Sequence, residues 1–407
     1  MPGQNWGAIR PYFFVTDKFS SGTRDNYIFT PLAPVYLRAT RHRSTSILLK
    51  TGHVTQIARI FAYTTAHRWE PQIFIMIRAW QYAATKGGLE NQLKLNPAVP
   101  MPVAKDPSTQ HVVQMSVVCL NPVDYKVAEL LPSALLPKNA TPGIDFVGKI
   151  TTPAEGSGLS KGDMVFGVAS LAPIAGGALS EYAVVPVKGT SKLPPGVKPI
   201  DGATIGVAGL SAYQAIIPYV KNGDKIFING GSGGVGVFAI QVAKIAGCHI
   251  TTSCSTANVN LCKQLGADNV IDYKKESVLE ALRKIGGFNH VVDNVGNDTQ
   301  LYWQAHTYTA KDAVFVGLAG GPSLRHLAFS SSAKLWPSFL GGGKRKLATF
   351  LAEARPDHLE KLGEWMAEGK LKAVIDSRYP FEQVPEAFRK LKTERAKGKI
   401  AVDVSED

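Results

Sequence analysis

The chain has 407 residues, 45% of them hydrophobic and 19% charged, with a formal net charge of +13. That length and composition suit two globular domains and exclude a disordered or fibrous chain. No apolar run approaches the ~20 residues of a membrane-spanning helix, so no membrane span is expected, and the four cysteines (Cys119, Cys248, Cys254 and Cys262) form no C-x-x-C pair, which fits a reducing compartment.

Residues 1–75 carry nine basic residues (Arg10, Lys18, Arg24, Arg38, Arg41, Arg43, Lys50, Arg59 and Arg68) against three acids, Asp17, Asp25 and Glu70. The remaining excess is scattered and lacks aromatic interleaving. No nucleic-acid groove is therefore expected, and the charge suits attraction of a phosphate-rich cofactor. This stretch is acid-poor, rich in Arg, Ser and Thr, and without sustained periodicity. It reads as a mitochondrial presequence, or as residues upstream of a natural start at Met76. No fold is assigned to it. The expected compartment is cytoplasmic, with mitochondrial as the alternative.

Residues 76–205 carry short β-type runs at Val112–Leu120, Phe146–Ile150 and Tyr182–Val187, separated by turn residues such as Asn121-Pro122 and Gly176-Gly177. Residues 206–355 alternate strand and helix. The strands are Lys225–Ile228, Cys248–Ser253, Asn269–Ile271, His290–Val292 and Ala313–Val316. Helices are expected at Val237–Ala246, Asn258–Leu265 and Glu276–Lys284. That alternation predicts a parallel, doubly wound sheet. Residues 356–407 return to β character at Ile375–Tyr379 and Lys399–Val404, around a helix at Val384–Lys392.

The most informative segment joins the first strand of the second unit to its first helix. Gly231, Gly233 and Gly236 fit G-x-G-x-x-G, with Ser232, Gly234 and Val235 completing the loop. Glycines let a backbone approach a pyrophosphate, and the following helix N-terminus offers free N–H groups to it. The next strand ends Thr251-Thr252-Ser253-Cys254-Ser255-Thr256, without the acid that usually holds the ribose hydroxyl in an NAD site. Hydroxyls at Ser255 and Thr256 can donate to a 2′-phosphate that a carboxylate would repel. NADPH is therefore favoured over NADH, with Lys263 and Tyr273 downstream as further phosphate contacts. A plain helix N-cap at Ser255 is the competing reading.

Together, Asn121-Pro122-Val123-Asp124-Tyr125-Lys126, Pro142-Gly143-Ile144-Asp145-Phe146-Val147-Gly148, Gly209-Leu210-Ser211-Ala212-Tyr213, the glycine loop, Leu265-Gly266-Ala267-Asp268 and Asp293-Asn294-Val295-Gly296 make residues 76–407 resemble a family. It is the medium-chain dehydrogenase/reductase superfamily, in its zinc-free, quinone-oxidoreductase-like and enoyl-reductase branch. Within it the chain is similar to reticulon-interacting mitochondrial oxidoreductases and fungal zinc-type dehydrogenases that lack zinc. The resemblance implies an α/β fold: a GroES-like, β-rich substrate domain that includes the C-terminal tail, with an inserted Rossmann domain.

It also implies site roles. Asn121 becomes an orienting hydrogen-bond group, Asp124 braces its loop, and Tyr125 and Lys126 are candidate donors to the substrate oxygen. Ser211, Asn294 and Gly296 approach the nicotinamide end of the cofactor. The alternatives are a plain turn at Asn121-Pro122 and a solvated surface charge at Lys126. A tyrosine that reductive relatives carry just after this loop has no match here, so the donor is left open. Zinc-dependent relatives place a Cys at the Asn121 position and His-Glu at Ile144-Asp145, so no metal is expected. Without a metal, hydride transfer to an enone or quinone suits the site best, since the developing charge moves to an oxygen that a hydrogen-bond donor can serve. An NADPH-binding scaffold and an RNA-binding protein with little turnover are the alternative functions. A homodimer or monomer is expected.

Overall fold

The computed structural model describes residues 44–51, 54–65, 68–170, 174–318, 343–349 and 351–405. They fall into two compact units. The first holds residues up to Arg78 together with Asn96–Met101. Its strands, Ser44–Thr51, Val54–Thr65, Arg68–Gln81 and Lys94–Pro100, follow one another in a four-stranded sheet. The strands from Ser44 onward stand in a stretch to which the sequence assigned no fold. The signal was β-branched content, as in Val54-Thr55-Gln56-Ile57, without the two-residue alternation that marks a half-buried strand. The expected boundary at residue 76 falls within the strand Arg68–Gln81. Residues 1–43 lie outside the described residues.

The second unit contains two sheets. A six-stranded parallel sheet has the order Asn269–Asp272, His249–Cys254, Lys225–Asn229, Phe288–Asp293, Thr309–Gly317, Lys346–Thr349. Such a sheet is covered on both faces, so its strands are continuously apolar rather than alternating. Ile226, Phe227 and Ile228 are accordingly all buried. The chain reverses direction of winding between Lys225–Asn229 and Phe288–Asp293, the switch point at which doubly wound sheets bind ligands.

The other sheet has seven strands, built on Gln110–Leu120, Asp145–Thr152, Met164–Val168 and Thr190–Lys192. The C-terminal strands Ile375–Pro380 and Lys399–Asp403 join it, with Ile400 opposite Leu120 and Ala401 opposite Cys119. Fold class therefore agrees with the expectation: a GroES-like β-rich part and a Rossmann sheet. One apolar core, including Val117, Ile144, Phe166, Ile228, Phe238 and Leu362, draws on both. The helix Pro356–Ala367, absent from the sequence reading, lays Trp365 5.6 Å from Tyr213 of the helix Gly206–Ile216. Among the described residues no helix is long and apolar enough to cross a membrane.

Candidate active site

The switch point is held by side chains at the carboxyl ends of three neighbouring strands. Asn229 Nδ2 donates to Asp293 Oδ1 at 2.8 Å, and Ser253 Oγ donates to Asn229 Oδ1 at 2.6 Å. Asp293 Oδ1 also accepts the N–H groups of Val295 and Gly296, each at 3.0 Å. Ser253 Oγ accepts the Gly230 N–H at 3.1 Å. All three side chains are buried. One network therefore shapes both the glycine loop and the 294–296 turn. Sequence reasoning missed it, because each of its members reads alone as a polar residue at a strand end.

The glycine loop fits a nucleotide. A Cβ on Gly236 would lie 2.1 Å from the Gly230 oxygen, so the close approach of helix and loop needs glycine there. A Cβ on Gly233 would meet only the Gly230 oxygen, at 3.6 Å, which leaves its outer side open for a phosphate. The helix Gly234–Ile245 starts at this point, presenting Gly234, Val235 and Gly236 N–H groups in its first turn. Ser232 Oγ accepts from Asn258 Nδ2 at 2.9 Å. Beside the loop, Asn294 has both side-chain polar atoms shielded from solvent without a hydrogen-bond partner. An amide in that state is costly unless a ligand satisfies it. The residues present thus fit a nicotinamide dinucleotide.

At the far end of the loop, Ser255 is half-buried and its side chain does not cap the turn Thr256–Asn258. The N-cap reading of this residue therefore lacks its defining bond. The Thr256 hydroxyl donates to Asp272, which holds that carboxyl below its usual range. Tyr273 is half-exposed, and its N–H donates to the Cys254 oxygen at 3.2 Å, which brings it next to Ser255. Lys263 stands exposed in the last turn of the helix Val259–Leu265. Ser211 is buried on the helix Gly206–Ile216.

The strand Gln110–Leu120 delivers Asn121 into a buried ionic cluster. Lys399 Nζ donates to Asn121 Oδ1 at 2.5 Å and to Asp145 Oδ2 at 3.0 Å. Asp145 Oδ1 accepts the Val207 N–H at 2.8 Å, at the start of the helix Gly206–Ile216. Asp124 Oδ2 accepts the Asn121 N–H at 2.6 Å, the loop brace expected of it. Lys399 and Asp145 are 2% and 0% exposed. Lys399 was not among the expected site residues. A lysine at the head of a strand reads as solvated, and its partners stand 278 and 254 positions away.

Burial, with Asp145 nearby, pushes the Asp124 carboxyl up to about 8. In the unfolded chain the same group ionises at about 4. Between those values the folded state holds the extra proton, so stability falls as pH rises from about 4 to about 8 and levels off above it. Asp124→Asn should flatten that slope. Denaturant midpoints between about pH 5 and about pH 8.5 check it; an unchanged slope would mean that Asp124 is ionised in the native protein.

Two expected donors are not brought to this cluster. Tyr125 is buried in the apolar core with Trp80, Phe146 and Phe388, and its hydroxyl, pushed up to about 12 by burial, faces Glu394, Glu129 and Glu90. The Lys392 ammonium sits 5.1 Å from its ring centre. Lys126 pairs with Glu394 at 3.3 Å on the exposed surface. The helix Val123–Leu130 explains both: its turn carries residues 125 and 126 away from Asn121.

Fold and site together define a nicotinamide-dependent oxidoreductase with a Rossmann sheet set against a GroES-like sheet. Residues 107–195 match the alcohol dehydrogenase GroES-like domain, and residues 265–402 match the zinc-binding dehydrogenase family. The chain is 42% identical over 347 residues to the trans-enoyl reductase pgmF of Aspergillus terreus, covering 81% of this chain and 97% of that one. It is 34% identical over 333 residues to a zinc-type alcohol dehydrogenase-like protein of Schizosaccharomyces pombe (80% and 95%). Among solved structures it is similar to the quinone oxidoreductase from Coxiella burnetii, with a TM-score of 0.69 and 26% identity over 81% of this chain and 99% of that one. The chain belongs to the medium-chain dehydrogenase/reductase superfamily.

Proposed function

We propose that this protein is an NADPH-dependent reductase that transfers hydride to an α,β-unsaturated carbonyl or a quinone without zinc. The observation that carries the reading is the Lys399 ammonium bonded to Asn121 and Asp145. It occupies the acceptor atoms that a metal would need and repels a divalent cation by its charge. With no Lewis acid, the acceptor must be one whose charge moves to an oxygen served by hydrogen bonds. The similarity to a trans-enoyl reductase and a quinone oxidoreductase supports that acceptor class.

NADPH, when bound, would supply the hydride. The glycine loop would hold its pyrophosphate, and Asn294 its nicotinamide half. Asn121 Oδ1 is committed to Lys399, and Nδ2 donates one long hydrogen bond of 3.4 Å to the Cys119 oxygen, so the second N–H of Nδ2 is the one left to donate to the substrate oxygen. Asp124 fixes the backbone of that residue. Neither Tyr125 nor Lys126 stands at the amide, so the proton that completes the reaction comes from a source other than these two side chains.

The test is NADPH oxidation with a panel of quinones and enones, before and after chelator treatment, with metal analysis of the purified protein. Turnover unaffected by chelation is expected. NADPH binding without turnover of any acceptor would favour a scaffold, and one zinc per chain lost together with activity would overturn the metal-free mechanism.

Cofactor preference follows from the Ser255 end of the loop. The unmodified chain should bind NADPH more tightly than NADH, and Ser255→Asp should weaken NADPH by about 10-fold or more through charge repulsion, with little change for NADH. Titrations of both cofactors check this; equal dissociation constants in the unmodified protein would sink it.

A further inference from the structure

We propose that Lys399 is the positioning residue of the reaction, fixing which face of the Asn121 amide meets the substrate. The proposal rests on the reading of Asn121 as the substrate-facing group. The oxygen and nitrogen of an asparagine amide are nearly the same size, and shape alone does not set which way the group points. A cation does, because an ammonium has three donors and no acceptor and can bond only to the oxygen. Lys399 Nζ donates to Asn121 Oδ1 at 2.5 Å, whereas the amide nitrogen donates a long hydrogen bond, 3.4 Å, to the Cys119 oxygen. Removing the ammonium removes the shorter and charge-assisted one of the two bonds that distinguish the orientations, and leaves only the long one from Nδ2 to the Cys119 oxygen.

The surroundings show that the ammonium is itself held from several sides. Its second bond goes to Asp145, whose other oxygen is taken by the Val207 N–H. A Cβ on Gly206 would lie 2.2 Å from that oxygen, so the helix carrying Ser211 comes into direct contact with the cluster. On the backbone side, Gly398 has φ +76 and donates its N–H to the Ser232 oxygen of the glycine loop at 3.0 Å. The Lys399 N–H donates to Val374 at 2.9 Å. A Cβ on Gly234 would lie 3.5 Å from Lys399 Cδ, so the lysine stem runs past the start of the nucleotide-binding helix. One side chain thus links the glycine loop, the Asn121 segment, the Asp145 strand and the Ser211 helix. A buried ion pair gives little stability over an apolar pair of the same volume. Its value here is orientation.

Lys399→Met alone would leave Asp145 an unpaired buried carboxylate and destabilise the fold for that reason alone. The informative variant is therefore Lys399→Met with Asp145→Asn, which removes both charges. With a quinone or enone its kcat should fall about 10- to 100-fold, while the NADPH dissociation constant changes less than about 3-fold. Adding Asn121→Ala to that variant should cost less than about 2-fold more, although Asn121→Ala alone costs at least about 10-fold. An effect that acted only through general stability would multiply with it. In the cofactor-free protein, the Asn121 side-chain amide resonance, assigned by its loss in Asn121→Ala, should be a single pair and should double or broaden in the charge-free variant. Unchanged kcat in the folded variant, fully multiplicative losses, or an unchanged amide resonance would each overturn the proposal. Failure of the unmodified chain to bind NADPH would instead sink the functional reading, and the amide resonance would still decide the role of Lys399.

Discussion

Gly233→Val should abolish cofactor binding while leaving the fold intact. Gly233 has φ −79 and ψ 176, extended backbone that valine adopts without strain. An added Cβ meets only the Gly230 oxygen, at 3.6 Å. The first carbon of the new side chain therefore meets no steric conflict within the protein. Its isopropyl group instead fills the open side of the loop, where a pyrophosphate has to reach the N–H groups of the helix Gly234–Ile245. The expected loss is about 100-fold or more in NADPH affinity, because a phosphate held out of contact forfeits several charge-assisted bonds together. Thermal midpoints without cofactor should match those of the unmodified protein, and the stabilisation that NADPH gives should vanish. Retained affinity would mean that the pyrophosphate lies elsewhere.

Asn121→Ala should behave in the opposite way. NADPH affinity should hold within about 3-fold, while kcat with an enone or quinone falls about 10- to 1000-fold, the range for removing one positioned donor. The change also deprives Lys399 of an acceptor in a buried setting, so stability should drop by about 1–3 kcal/mol. Single-turnover rates separate these effects, since a stability loss alone leaves the folded fraction turning over at the normal rate. If every kinetic constant is untouched, Asn121-Pro122 is only a turn. The donor then has to be sought at residues 320–345, most of which lie outside the described residues.

The parts of the fold that were legible in the sequence are those written locally. Ile226-Phe227-Ile228 leading into the glycines needs no distant partner to be read as strand, turn and helix. The helix Gly206–Ile216 was missed for the converse reason. It is apolar nearly all round and holds two glycines, so burial on every side removes the amphipathic period that a surface helix displays. The helix Pro356–Ala367 did carry a signal, proline in its first turn and Leu359 and Leu362 three apart. Among site residues, those that act through backbone shape, such as Gly233 and Gly236, announce themselves by spacing. Those that act through side chains depend on pairings across the chain. Nothing near Lys399 points to Asn121. Nothing near Lys126, two residues past the brace Asp124, shows that a helical turn carries it to Glu394 instead.

If Lys399 orients Asn121 as proposed, its position along the chain bears on when the site is completed. A ribosome makes the glycine loop, the Asn121 segment and the whole parallel sheet first, and residues 398–403 only afterwards. Until they emerge, the Asn121 amide lacks its cation, the Ser232 carbonyl lacks its Gly398 partner, and the strand opposite Leu120 is missing. If Lys399 orients Asn121 as proposed, proteolytic loss of residues 398–403 would take from a finished molecule that cation, the Gly398 bond to the glycine loop and the strand opposite Leu120 together.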